Sequence, residues 1–209
     1  TLNCIAGLVR PDEGTAEVYG MPVHPARPAF RRDVGYVAEE SGFFRRWTVG
    51  RNLDHMARLM PGWSRDRAHR LSERIGLHLD APVAGLSRGN RTKLALVAAL
   101  AHGPRLLLLD EPLVNLDFKL REELRLELRQ LLAGGDSIVV YATAEPREAL
   151  ALVGETIVVD EGRILQKGPA LEIYRRPESV RTALLLSDPP MNVVPGRITE
   201  LPLMTLCAT

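Results

Sequence analysis

The sequence predicts an α/β domain built on a mostly parallel sheet with helices on both faces. Three observations predict it. Leu106 to Leu109 is an unbroken apolar run closed by Asp110-Glu111-Pro112, the pattern of a strand buried on both sides. Ser137 to Thr143 and Glu155 to Asp160 are short β-branched runs separated by a helical stretch, Pro146 to Val153. Leu116, Leu120, Leu124, Leu128 and Leu132 form one stripe at four-residue spacing with Arg and Glu elsewhere, so Asp117 to Leu132 reads as an amphipathic helix.

Taken in chain order, Thr1 to Leu8 reads as the end of a helix stopped by Gly7. Pro11 to Gly14 is a turn, and Thr15 to Tyr19 alternates like a short strand. Proline-rich Met21 to Pro28 is a loop leading to the apolar strand Val34-Gly35-Tyr36-Val37. Two helical patterns follow, Thr48 to Pro61 and Ser64 to Leu79. In the second, Ala68, Leu71, Ile75 and Leu79 fall at three- and four-residue steps behind a Ser64 cap. Gly134-Gly135 ends the leucine-striped helix. After Gly162, Arg163 to Gln166 returns as a hairpin strand, and Pro169 to Arg176 is helical with proline at its first turn. From Pro189-Pro190 onward the texture changes to short, proline-punctuated segments, and there is no internal repeat.

Composition narrows the function classes. The chain has 209 residues, 45% apolar and 25% charged, enough for one well-cored domain and the beginning of a second. A net charge of +1 gives no support to a nucleic-acid partner. Cys4 and Cys207 are too few for a disulfide framework or a zinc site, which fits a reducing, cytoplasmic compartment. The most apolar stretch, Leu94 to Ala101, falls far short of the roughly 20 residues a spanning helix needs, so any membrane role is through a partner. His24, His55, His69, His78 and His102 lack metal-ligand spacing and read as surface or core residues.

The chemistry concentrates in two motifs, Ser87-Arg88-Gly89-Asn90 at the head of a helix and Asp110-Glu111 at a strand tip, the second starting 23 residues after Ser87. Phosphoryl transfer from ATP needs a phosphate cradle with a lysine, magnesium, and a group that places the attacking water. An acidic strand tip supplies the last two, although such a pair alone is also an ordinary solvated strand end. Leu86-Ser87-Arg88-Gly89 resembles the signature motif of ATP-binding-cassette (ABC) ATPases, and Asp110-Glu111 resembles their Walker B motif. Thr1-Leu2-x-x-Ile5-Ala6-Gly7-Leu8 resembles the segment that follows their phosphate loop. By that resemblance Thr1 comes immediately after the Gly-Lys-Ser/Thr, and the loop itself is not within these 209 residues.

The resemblance implies a P-loop NTPase cassette over residues 1–187, with an inserted helical subdomain at about 48–103. Residues 188–209 resemble the beginning of a small C-terminal regulatory β domain. It implies ATP and Mg2+ as cofactors, with Asp110 supporting the metal and Glu111 polarising the water. Thr1, Ser87, Arg88, Gly89, Asn90, Asn115 and Asp117 fall at nucleotide-contacting positions. Glu39 stands where a glutamine usually senses metal and water, a change that is still metal-compatible. Ala144 stands where a switch histidine usually contacts the γ-phosphate, and alanine can neither donate a hydrogen bond nor hold charge. Arg88 and Asn90 depart from the common Gly and Gln. Ser87 also reads as a plain helix cap, a role compatible with the other.

In this family the signature of one subunit covers the γ-phosphate held by another, so the implied partners include a second ATP-binding subunit, identical or different. They also include ABC permease subunits at the cytoplasmic face of the membrane and, indirectly, a solute-binding protein. Phe43 to Trp47 resembles the docking face for a permease, although aromatics there are more often core. Pro112 to Leu124, Tyr141 to Pro146 and Asp188 to Asn192 resemble importer ATPases of the sugar and glycerol group. Gly35 to Phe43 and Leu86 to Leu96 resemble ATPases associated with export. The regulatory-domain junction favours an importer for a sugar, glycerol or related polyol. A catalytically weak regulatory subunit and a soluble ABC ATPase of DNA repair or translation are the alternative readings.

Overall fold

The structure is a computed structural model that describes residues 1–26, 28–39, 42–132, 137–152, 154–189 and 191–193. Two compact units divide at Ala144/Glu145. In the first, a short helix α1 (Leu2–Ile5) precedes a hairpin of β1 (Glu17–Val18) and β2 (Met21–Pro22), a 3-10 turn (Pro28–Arg32) and strand β3 (Val34–Val37). Helices α2 (Val49–Leu59), α3 (Arg65–Arg74) and α4 (Arg88–Leu100) follow, then β4 (Leu106–Asp110), α5 (Phe118–Leu132) and β5 (Ile138–Ala142).

Strands β3, β4 and β5 form a parallel sheet in that order, with Val37 beside Leu109 and Asp110 beside Ala142. The strand period of two sorts β4 between faces. Leu107 and Leu109 enter the core built by α2 to α5, where Val49, Leu94, Val97 and Leu128 are fully or almost fully buried. Leu108 enters the opposite core with Ala6, Phe30 and Val34. The sheet is thus covered on both sides, as the leucine run predicts. Lys93 ties the helical layer together, its ammonium donating to Ile75 O and to Glu127 Oε1, each at 2.9 Å.

Local chemistry explains the boundaries. Thr48, Ser64 and Ser87 cap α2, α3 and α4 through their side-chain oxygens. The predicted second helix stops at Arg74 instead of Leu79, because Gly76 adopts φ 64° just past the end and reverses the chain. Asp117 is a cap instead of a helical residue, its Oδ1 accepting from Leu120 N at 3.0 Å. Met21–Pro22, predicted as loop, pairs with β1 because Tyr19-Gly20 forms a two-residue turn with φ 51° and 73°. Arg105 holds Tyr19 in that backbone, stacking its guanidinium 3.8 Å from the ring and accepting the phenol proton on its carbonyl.

The second unit begins with α6 (Pro146–Ala151) and continues with β6 (Glu155–Asp160) and β7 (Arg163–Pro169). The two strands form an antiparallel hairpin closed by Glu161-Gly162, and β7 is longer than its sequence pattern suggests. Helices α7 (Ala170–Arg175) and α8 (Val180–Leu186) cover it through Ile173 and Leu186. The run at 155–160 therefore pairs antiparallel among the described residues, unlike the run at 138–142. Gly134-Gly135, Cys207 and most of the predicted regulatory segment at 188–209 lie outside the described residues.

Candidate functional site

The parallel strands deliver four of the predicted site residues, Glu39, Asp110, Glu111 and Ala144, to one end of the sheet. β3 runs into Ala38 and Glu39, β4 ends at Asp110 and hands on to Glu111, and β5 runs into Thr143 and Ala144. The carboxyl ends of parallel strands are where open α/β sheets bind ligands.

Asp110 is half-buried, and the Tyr36 hydroxyl donates to its Oδ2 at 3.0 Å. The same hydroxyl lies 2.7 Å from Asn3 Oδ1 in the first turn of α1. Burial, reinforced by the hydrogen bond to Asp110 and by that carboxylate's charge, pushes the Tyr36 phenol up to about 12. It is therefore a neutral donor throughout the physiological range. Neither Tyr36 nor Asn3 is among the predicted site residues. The alternation of β3, which sends Val37 to one face and Tyr36 to the other, was the available signal.

Glu111 takes φ 45°, and its backbone N–H donates to Ala142 O at 3.0 Å, locking the tip of β4 to β5. Asn115 takes φ 57°. Left-handed backbone at two non-glycine residues within one short loop is a form of strain that clusters at functional sites.

The head of α4 carries the second motif. Ser87 Oγ accepts from Asn90 N at 3.2 Å, and a hydroxyl that accepts still keeps its own hydrogen to donate. Ser87 and Arg88 are exposed and Asn90 half-buried, while Gly89 is buried. A Cβ at Gly89 would come within 2.9 Å of the Leu120 side chain, so this glycine also lets α4 sit against α5. Glu39 and Arg88 line a common cleft of about 390 Å³ with Arg45, Arg91 and Thr92. Ser87, Asn115 and Asp117 stand outside that lining, on exposed surface. A larger, mostly apolar cavity of about 790 Å³ has Thr1, Leu108 and Val140 in its walls but neither Asp110 nor Glu111.

Among the described residues no three His, Cys, Asp or Glu side chains are grouped to hold a metal by themselves. Mg2+ bound chiefly through phosphates and water needs only one or two carboxylates. Asp110 fits that requirement, because its Oδ1 accepts no hydrogen bond among the described residues.

Away from the strand ends, the aromatic segment splits. Phe43 packs against the core, while Phe44 is about half-exposed and stacks on Trp47 at 4.3 Å. His55 meets both rings edge-on, and Arg51 lies over Trp47. Buried Asn52 fixes this loop, accepting from Phe44 N and donating to the carbonyls of Phe44 and Thr48. His102 is core: its Nε2 faces Val34 O at 3.1 Å, and burial lowers its pKa. No helix among the described residues is long and apolar enough to cross a membrane.

The fold is of the α/β class to which the P-loop NTPases belong, a parallel sheet ending in an Asp-Glu tip with a serine-capped helix packed on one face. The family described as "ABC transporter" matches residues 1–114. The chain belongs to this family, as an ATP-binding domain. It is 34% identical over 199 residues to the sn-glycerol-3-phosphate import ATP-binding protein UgpC 3 of Rhizobium johnstonii, covering 93% of this chain and 57% of that protein. It is 38% identical over 176 residues to the molybdate/tungstate import ATP-binding protein WtpC of Archaeoglobus fulgidus, covering 83% and 73%. It is 35% identical over 209 residues to the sulfate/thiosulfate import ATP-binding protein CysA of Rhodopseudomonas palustris, covering 94% and 60%. The chain thus spans little more than half the length of several relatives it matches.

Proposed function

We propose that the protein to which this chain belongs binds and hydrolyses ATP to power solute import through an ABC transporter. The observation that carries this reading is the convergence of Glu39, Asp110, Glu111 and Ala144 on one end of a parallel sheet in a chain whose relatives are named for import. When bound, Mg2+–ATP supplies a γ-phosphoryl group open to in-line attack by water. Asp110 is the carboxylate for the metal's ligand or water shell. Glu111 orients the attacking water and accepts its proton, and Thr1 belongs to the helix that follows the phosphate loop. Glu39 reports metal and water to the helical layer at about 48–103.

Ser87, Arg88, Gly89 and Asn90 serve a nucleotide held by a second ATP-binding subunit, identical or different, together with the exposed Asn115 and Asp117. Membrane permeases dock on Phe44 and Trp47, which places the protein peripherally at the cytoplasmic face. A solute-binding protein acts further upstream. The cassette runs over 1–187, and 188–209 opens a regulatory β domain. The relatives' solutes range from glycerol phosphate to molybdate and sulfate, and the resemblance of the 112–124 and 188–192 segments favours a sugar, glycerol or related polyol.

A second reading, a catalytically weak regulatory subunit, is favoured by Ala144 and Glu39, neither of which carries the usual side chain. One experiment tests the catalytic reading. In the full-length protein Glu111→Gln is expected to cut ATP hydrolysis by about 100-fold or more, with ATP binding retained. Unchanged hydrolysis would overturn it.

A further inference from the structure

The Asp110 carboxylate has one hydrogen-bond donor among the described residues, the Tyr36 phenol at 3.0 Å from Oδ2. That phenol has a single hydrogen and two oxygens within reach, Asp110 Oδ2 and, at 2.7 Å, Asn3 Oδ1. Donation to the carboxylate is the stronger choice, because hydrogen bonds to a charged acceptor are roughly twice as strong as neutral ones. The short contact to Asn3 is then satisfied when the amide presents its NH2 to the phenol oxygen, an orientation that interchanges two nearly indistinguishable atoms. The result is a directed chain, Asn3 to Tyr36 to Asp110, from the first turn of α1 across β3 to the tip of β4. The ring of Tyr36 is anchored in the apolar cluster of Phe30, Val34 and Leu108, so the hydroxyl is held by packing rather than by solvent.

We propose that Tyr36 is a positioning residue for the metal-supporting carboxylate: it pins Oδ2 of Asp110, leaves Oδ1 for Mg2+ or its water shell, and through Asn3 ties that carboxylate to the helix following the phosphate loop. This rests on the nucleotide-site reading. An unpinned aspartate at a strand tip spreads over several rotamers, and metal binding must then select one of them. Phenylalanine at this position keeps the ring packing and removes only the pin.

The test uses the full-length protein and Mg2+-dependent tightening of a fluorescent ATP analogue, a binding readout independent of turnover. Tyr36→Phe is expected to raise the Mg2+ concentration for half-maximal tightening by about tenfold or more, the low end of the effect of one lost hydrogen bond to a charged group. Metal-free binding of the analogue is expected to stay within about twofold, because no contact to the nucleotide itself is removed. An unchanged Mg2+ requirement, with normal tightening in the unmutated protein, overturns the proposal alone. Absence of Mg2+-dependent tightening in the unmutated protein overturns the nucleotide-site reading and this proposal with it. Should Tyr36→Phe fail to fold, Tyr36→Leu, which also leaves an apolar side chain against the Phe30, Val34 and Leu108 cluster and removes the hydroxyl, takes its place in the same measurement. The same rise in Mg2+ requirement is expected, and an unchanged requirement overturns the proposal.

Discussion

Glu111 and Asn115 sit at φ 45° and 57°, a region that costs an L-residue roughly 1–2 kcal/mol. The loop between them is held by the Glu111 N–H bond to Ala142 O and by buried Leu113, so the cost is met by fixing where the Glu111 carboxylate leaves the backbone. Asparagine tolerates this conformation best among non-glycine residues, and a β-branched residue tolerates it worst. Asn115→Val is therefore expected to lower unfolding stability by about 1–2 kcal/mol in urea titrations, while Asn115→Gly stays near neutral. Ala144 presents the opposite situation: an exposed methyl at the end of β5, where a hydrogen-bond donor to a phosphate belongs by family resemblance. Ala144→His in the full-length assembly is expected to raise ATP turnover severalfold. Turnover equal to that of the unmutated protein would count against the idea that this position limits the site.

At the scale of elements, the joint between β3 and α4 decides how well the sheet end is supported. A Cβ on Gly35 would come within 2.5 Å of Ala99 O and 3.0 Å of both Leu107 and Pro104 side chains, and the first of these is backbone, so relief requires shifting the last turn of α4. Gly35→Ala is expected to cost about 1–3 kcal/mol of stability by overpacking. His102 closes the same joint. Facing Val34 O, its Nε2 carries the hydrogen, so Nδ1 is the unprotonated nitrogen, and it has no hydrogen-bond partner among the described residues. Burial lowers the pKa, the Val34 carbonyl and Asp33 oppose that, and Arg67 adds to it. A histidine whose folded pKa lies below its unfolded value contributes fully above about 6.5 and loses that contribution as the pH falls further. Thermal midpoints are expected to drop between pH 7.5 and pH 5, with a shallower drop for His102→Gln. Which of these features were readable from sequence follows from what each depends on. β4 and α5 were legible because their signals are local, a leucine run buried on both faces and a four-residue stripe. The cap role of Asp117, the Tyr19-Gly20 turn and the early end of α3 depend on one or two residues and carry little periodicity. The Tyr36–Asp110 bond and the fit of Gly89 against Leu120 depend on parallel register and helix packing, which no spacing along the chain encodes.

For the whole molecule, which subunit's nucleotide each motif serves matters more than either motif. Glu111 lies at the strand ends and is half-buried, whereas Ser87, Asn115 and Asp117 are exposed, and none of the four lines the cleft of Glu39. An isologous two-fold pairing would allow each subunit's serine-capped helix to complete the partner's site, with the helix N-terminus contributing backbone N–H groups toward an anion. Two arrangements of the same substitutions separate this from a site completed within one chain. Consider full-length mixed dimers with Glu111→Gln in one subunit and Ser87→Arg in the other. If sites are shared, both lesions fall on the same site, and the second site, with an intact Glu111 and an intact Ser87, continues to hydrolyse ATP. Now place both substitutions in one subunit opposite an unmutated partner. Each site then has one lesion, and hydrolysis is expected to fall to background. Sites completed within one chain give the reverse order, because the doubly substituted subunit would spare its partner entirely. The comparison requires only tagged subunits purified in sequence and a phosphate-release assay, and the ranking of the two mixed dimers decides between the architectures.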